Sequence, residues 1–324
     1  MKMKKNILLI GEPMGLFIAQ QEGDFEDVES FLLRTCGAEF NVAIGVTRLG
    51  HKAGYFTKLG DDPFGKKIVN MMKAENISTE LIQFSEDRST GFMFKGKVEE
   101  GNPHIFYFRK NSAASTLSPE DMKALDVTNY DTIHMTGITP ALSDSCREAT
   151  EEILIKARKN DMFFTFDPNL RTQLWQDKKS MVDYINSIAV KCDIFMPGIE
   201  EATILTDSDS PELIAEKYLE KGTKAIIIKL GAKGAYYATP SEAEYVEGFH
   251  VETVVDTVGA GDGFAAGVLT ALKEGLPLKE AVRRGNGVGA IQVMSVGDND
   301  GLPTRNELDD FMTGKKGWRS KDRR

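Results

Sequence analysis

Short, continuously apolar runs alternate along the chain with longer stretches whose apolar residues recur at helical spacing. The runs Ile7–Ile10, Ala53–Thr57, Thr132–Met135, Met162–Asp167, Ile194–Met196 and Ala225–Lys229 are too short for helices and predict strands. Between them, Asn41–Leu49, Phe64–Ala74, Ser145–Lys159 and Pro211–Glu220 predict helices. Strands apolar on both faces and separated by helices imply an α/β fold, a mostly parallel sheet covered on both sides. One region departs from this rhythm. Phe92-Met-Phe-Lys-Gly-Lys-Val98 and His104-Ile-Phe-Tyr-Phe-Arg109 alternate in polarity around Glu99-Glu-Gly-Asn-Pro103, which predicts an antiparallel hairpin. Pro13–Arg34 has no helical or strand pattern of that clarity and is assigned to the same small β lid. The expected organisation is one α/β/α body over residues 1–312, with a lid from about 12–36 and 88–112. A basic, frayed tail follows at 313–324.

Composition narrows the function classes. The 324 residues are 41% apolar and 27% charged, with 30 Gly and 11 Pro, an ordinary globular balance. A net charge of −9 argues against a nucleic-acid partner, which needs a clustered basic face. No run approaches the ~18 apolar residues that span a bilayer, so no membrane partner is expected. Met1-Lys-Met-Lys-Lys5 is basic, but Asn6–Ile10 is too short for a signal-peptide core. Cys36, Cys146 and Cys192 are odd in number and far apart, and His51, His104, His134 and His250 give no zinc spacing with them. A reducing, cytoplasmic and zinc-free setting is expected.

The stretch with most chemistry is Asp256-Thr-Val-Gly-Ala-Gly-Asp-Gly-Phe264. A glycine-rich turn entering a helix directs several N–H groups into one concavity, where the helix dipole favours an anion. Asp262 sits badly beside an anion unless it takes a proton from an attacking hydroxyl. The same spacing also fits a plain strand-to-helix turn with an N-terminal acid. Gly60-Asp-Asp-Pro-Phe-Gly65-Lys66-Lys67 nearly matches a P-loop, but Lys67 replaces the hydroxyl residue, so it reads as a turn entering a helix. Ser118, Pro119 and Asp121 read as a capping box. Arg109 ends a lid strand, where it either pairs with a local acid or binds a substrate anion. Arg171 follows the strand ending at Asp167, at the sheet edge where open α/β folds bind ligands. Lys229-Leu-Gly231-Ala-Lys-Gly234 and Gly285-Asn286-Gly287 either permit close packing or shape a flat adenine slot.

Together these pieces resemble the PfkB, or ribokinase-like, carbohydrate kinases over almost the whole chain. The carriers are Asp256–Gly267 and the pair Gly37–Gly50 and Lys58–Gly65. The resemblance implies a ribokinase-like body with a β lid, ATP and Mg2+ as cofactors, and a homodimer or larger homo-oligomer joined through the lids. It also implies that Asp262 is the base and that the amides of Gly259, Ala260 and Gly261 form an anion hole. Lys229, Gly231, Gly234, Gly261 and Asn286 would face the nucleotide, and Glu201 the magnesium. Within the family the chain is most similar to 2-keto-3-deoxygluconate kinases, through Tyr107–Ser115, Gly137–Leu142 and Asp167–Trp175. That similarity implies a sugar-acid substrate met by Gly37, Asn41, Tyr107, Arg109, Arg171 and Asp298, phosphorylated on its terminal hydroxyl. A neutral-sugar kinase of fructokinase type and a catalytically silent sugar-binding regulator are the alternatives. The chain departs from the family pattern at Cys36, where a glycine is common, at Gly198, where Asn is usual, and at Met93, where Tyr is frequent. A dinucleotide-binding dehydrogenase is set aside, because Gly11-Glu-Pro-Met14 after the first strand lacks its fingerprint.

Overall fold

The computed structural model describes residues 6–98 and 104–315, so the hairpin tip Glu99–Pro103, the first five residues and the tail from 316 lie outside it. The strands are β1 (Asn6–Ile10), β2 (Met14–Glu22), β3 (Phe31–Cys36), β4 (Ala53–Gly60), β5 (Ile82–Ser85), β6 (Phe92–Lys97) and β7 (Ile105–Phe108). They continue with β8 (Tyr130–Thr136), β9 (Phe163–Asp167), β10 (Ile194–Phe195), β11 (Ala225–Lys229), β12 (Ala235–Ala238) and β13 (Ala243–Val246). Among the described residues, nine form one sheet in the order β13-β12-β11-β10-β9-β8-β1-β4-β5. It is parallel except for β12 and β13 at one edge. No described helix is long and apolar enough to cross a membrane.

The uninterrupted apolarity of the strands has a direct cause. In β1, Ile7 and Leu9 enter one hydrophobic core while Leu8 and Ile10 enter the other, on the opposite face. All four are fully buried. Helices Ala38–Arg48, Ala260–Lys273 and Leu278–Gln292 cover the first face. Helices Asp144–Lys159, Lys178–Ala189 and Pro211–Glu220 cover the second. Chain order reverses at β1, which lies between β8 and β4, so the carboxyl ends of β1, β8, β9 and β11 open onto the crevice where such sheets bind ligands.

The lid is a four-stranded sheet in the order β3-β2-β6-β7. Pro13–Arg34, read as patternless, contributes β2 and most of β3. Its alternation is hidden because both faces of the lid are apolar. Met14, Leu16, Cys36 and Met93 pack on the inner face. Phe17, Phe31, Phe92, Phe94, Phe106 and Phe108 form a ring cluster on the outer face, with Phe64 of the body against it. The near-P-loop is a helix start: Asp62 caps helix Pro63–Ala74 by accepting from Gly65 N. Ser118 and Asp121 form the expected capping box. Gly285 serves close packing, since a Cβ there would meet the Phe264 ring at 2.9 Å, whereas its neighbour Asn286 lines a cavity.

Candidate active site

Helix Ala260–Lys273 starts from Gly259, which holds a left-handed φ of 78°. A Cβ at that position would lie 1.9 Å from the Asp298 carbonyl oxygen, so glycine is required. The amides of Gly259, Gly261 and Asp262 have no acceptor among the described residues, and Ala260 N makes only a long bond to Thr257 O at 3.4 Å. A helix start with unpaired N–H groups and no side-chain cap is prepared to hold an anion.

Asp262 stands in the first turn of the same helix. Asn41 Nδ2 donates to its Oδ2 at 2.8 Å, and Asn299 Nδ2 donates to Asn41 Oδ1 at 2.9 Å. Asn299 therefore fixes which end of the Asn41 amide faces the carboxylate. Burial pushes the Asp262 carboxyl up to about 7, and the nearby Asp167 charge pushes the same way. The Asn41 hydrogen bond, Arg171 and Lys229 oppose the rise. A carboxylate that titrates near neutrality is suited to accept a proton from an alcohol.

Two cavities meet at this helix start. The first, of about 350 Å³, lies between lid and body and holds Gly37, Asn41, Tyr107, Arg109 and Arg171. Asp298, Glu201, Gly259 and Asp262 complete its polar wall. The second, of about 660 Å³, is lined by Gly231, Gly234, Asn286 and Ala260, with apolar walls that include Val254, Phe264 and Val293. Lys229, Thr257 and Gly261 belong to both. The structure thus brings every nominated residue to one of two chambers that share the glycine turn.

Pairing separates the charged residues. Arg109 gives Nε and Nη2 to Glu12 Oε2 at 2.7 and 2.5 Å, and Ser112 Oγ donates to the other Glu12 oxygen. The Arg109 guanidinium also lies over the Tyr107 ring, 5.6 Å from its centroid. Lys229 pairs with Asp167 at 2.5 Å. Burial alone would lower the Lys229 ammonium, but Asp167 and Glu201 outweigh it and hold it above its usual range. Arg171 forms no ion pair among the described residues and favours the ionised forms of Asp262 and Asp298. Asp298 is pushed up to about 6, chiefly by burial, and its Oδ1 has no hydrogen-bond partner among the described residues. Met93 is buried in the inner lid, in register with Tyr107.

Glu201 accepts Gly198 N and Leu170 N, both at 2.8 Å, so it caps a helix as well as facing the cavity. Burial raises its carboxyl, and Asp167 beside it adds to the rise. No cluster of three ligating side chains occurs among the described residues. Glu201 and Asp167 both line the cavity, and one or two carboxylates are what a magnesium ion bound with phosphates and water asks of a protein. Sequence reasoning missed Glu12, Asp167 and Asn299 as site residues. Glu12 follows the end of β1 by two residues and Asp167 ends β9, so their position at the sheet's carboxyl edge was a usable signal.

Comparison with known proteins settles the family. Residues 4–305 match the model of the pfkB family carbohydrate kinases. The chain belongs to the PfkB family. Family members similar to it include a 2-dehydro-3-deoxygluconokinase of Bacillus subtilis (strain 168), 42% identical with 97% of each chain covered. A probable fructokinase-4 of Arabidopsis thaliana is 31% identical, covering 96% of this chain and 98% of its own. The crystal structure of a putative ribokinase II from E. coli, in complex with ATP and Mg2+, superposes with a TM-score of 0.86. It is 26% identical, and the match covers 96% of this chain and 99% of that one. The protein is accordingly an ATP-dependent carbohydrate kinase with a ribokinase-like fold.

Because the Asn41 hydrogen bond favours ionised Asp262, its removal raises the carboxyl's pKa. In Asn41→Ala the acid limb of kcat/KM should move to higher pH by about half a unit or more. A pH–rate profile checks this, and an acid limb that stays in place contradicts it.

Proposed function

We propose that this kinase transfers the γ-phosphoryl group of ATP to the terminal hydroxyl of 2-keto-3-deoxygluconate, giving the 6-phosphate. The observation that carries the sugar-acid reading is Arg171, a guanidinium with no ion pair among the described residues, in a cavity where Arg109 and Lys229 are already held by Glu12 and Asp167. A planar fork left open in a chamber that also holds several polar side chains suits a carboxylate. Arg109 is fixed by Glu12 and offers its remaining N–H edge. The 42% identity to a 2-dehydro-3-deoxygluconokinase, against 31% to a probable fructokinase, supports the same choice.

In this mechanism the nucleotide occupies the chamber of Gly231, Gly234 and Asn286, with its terminal phosphate at the wall that Lys229 and Gly261 share. The free amides of Gly259 and Gly261 hold charge that develops on the phosphoryl oxygens. Asp262, steadied by Asn41, takes the hydroxyl proton through its remaining oxygen. Asp298 Oδ1, buried and without a hydrogen-bond partner, accepts a further substrate hydroxyl. Asp167 and Glu201 are the residues that would hold magnesium, which neutralises phosphate charge when bound with ATP. The lid over the chamber excludes water that would otherwise compete for the phosphoryl group. The three cysteines are buried and unpaired, which supports a reducing, cytoplasmic setting.

We also propose that two copies associate through the lids. Phe106 and Phe108 on the outer lid face are 54% and 48% exposed within a continuous aromatic cluster, which a second copy would cover. Sedimentation should show a dimer that Phe108→Asp dissociates; a wild-type monomer overturns it.

Asp262→Asn should lower kcat by at least ~10²-fold with ATP affinity nearly unchanged. Arg171→Ala should lower kcat/KM for the sugar acid by about 10–100-fold and for a neutral sugar much less. Near-normal turnover in Asp262→Asn would remove it from the mechanism. Equal losses on both substrates in Arg171→Ala would remove the carboxylate role.

A further inference from the structure

Lys95 is a lysine where the lid's inner face should be apolar. It lies on β6 two residues beyond Met93, on the face that turns toward the chamber, and is 7% exposed. Lysines are rarely buried to that degree unless paired. Its Nζ lies 2.7 Å from Asp256 Oδ2 and 3.8 Å from Asp298 Oδ1. Both carboxylates belong to the body.

Each partner of Lys95 also touches the glycine turn. Asp256 Oδ1 accepts the Val258 amide at 3.0 Å, so one oxygen is held by the lid while the other shapes the backbone just before Gly259. The Asp298 carbonyl oxygen packs against Gly259 so closely that a Cβ there would lie 1.9 Å from it. Further anchors of this loop come from the body: Val255 N and Asp256 N donate to Val293 O at 2.8 and 3.3 Å, and Gln292 Nε2 donates to Val258 O at 3.2 Å.

We infer that Lys95 is a positioning residue for phosphoryl transfer: carried by the lid, it holds the Asp256–Gly259 loop in the shape that presents the anion-binding amides. With the lid raised, Asp256 and Asp298 lose the ammonium between them and two carboxylates are left close to one another. The anion hole is then complete when the lid is shut over a substrate, which links sugar binding to transfer competence. This rests on reading Gly259–Gly261 as the anion hole.

The test is steady-state kinetics on the full chain carrying Lys95→Met, Lys95→Arg, Asp256→Asn, and the Lys95→Met/Asp256→Asn pair. A positioning role predicts that Lys95→Met lowers kcat by about 30-fold with the KM for ATP changed less than about threefold. Lys95→Arg should recover most of the turnover, because the charge is restored. The double variant should be no slower than the slower single variant, since both changes cut one link. A kcat within about threefold of wild type in Lys95→Met, with only a lower melting temperature or a higher sugar KM, overturns the proposal and leaves Lys95 a lid staple. Fully additive losses in the double variant overturn it as well. If Lys95→Met does not fold, Asp256→Asn against Lys95→Arg carries the same comparison. The readings fail separately: loss of turnover in Asp262→Asn alongside normal turnover in Lys95→Met sinks the lid link alone.

Discussion

Everything in the active site depends on a carboxylate and a set of unpaired helix amides occupying the same helical turn. Left alone, Asp262 would cap or repel at that position. Asn41 prevents this by holding one of its oxygens, and Asn299 in turn holds Asn41. The consequence is spatial. Gly261 lines both chambers, while Gly259 and the Asp262 carboxylate line the one beneath the lid. Phosphate and alcohol can then approach one turn of helix from two directions without the acid opposing the phosphate.

The fold serves that arrangement from the layers upward. Apolar strands with two buried faces force helices onto both sides of the sheet, and the reversal of order at β1 opens a crevice at the strand ends. Glu12, Asp167 and Lys229 all stand at those ends. The lid closes the crevice from above with a sheet that is itself apolar on both faces. Its inner face meets the chamber through Met93 and Tyr107, and its outer face presents phenylalanine rings.

The body strands and the Gly-Ala-Gly-Asp turn were legible because their signals are local: continuous apolar runs, and glycines at fixed offsets from one acid. The strands of Pro13–Arg34 were not, because a lid apolar on both faces erases the period-two pattern. Pairing was hidden for another reason. Arg109 read equally well as a substrate arm or an ion-pair partner, and its partner Glu12 lies 97 positions away. Lys95 was not singled out in the sequence, since its partner Asp256 is 161 positions distant and only folding brings them together. Arg171 gained weight for the opposite reason: no ion pair among the described residues neutralises it.

The central claim is that the chamber beneath the lid is built for a sugar acid. Its most direct test is ADP-release kinetics of the wild-type protein on 2-keto-3-deoxygluconate and on fructose under identical conditions. The account predicts a kcat/KM at least ~10-fold higher for the sugar acid, the scale of one charge-assisted hydrogen bond that a neutral sugar cannot make. Equal values, or a preference for fructose, would contradict it.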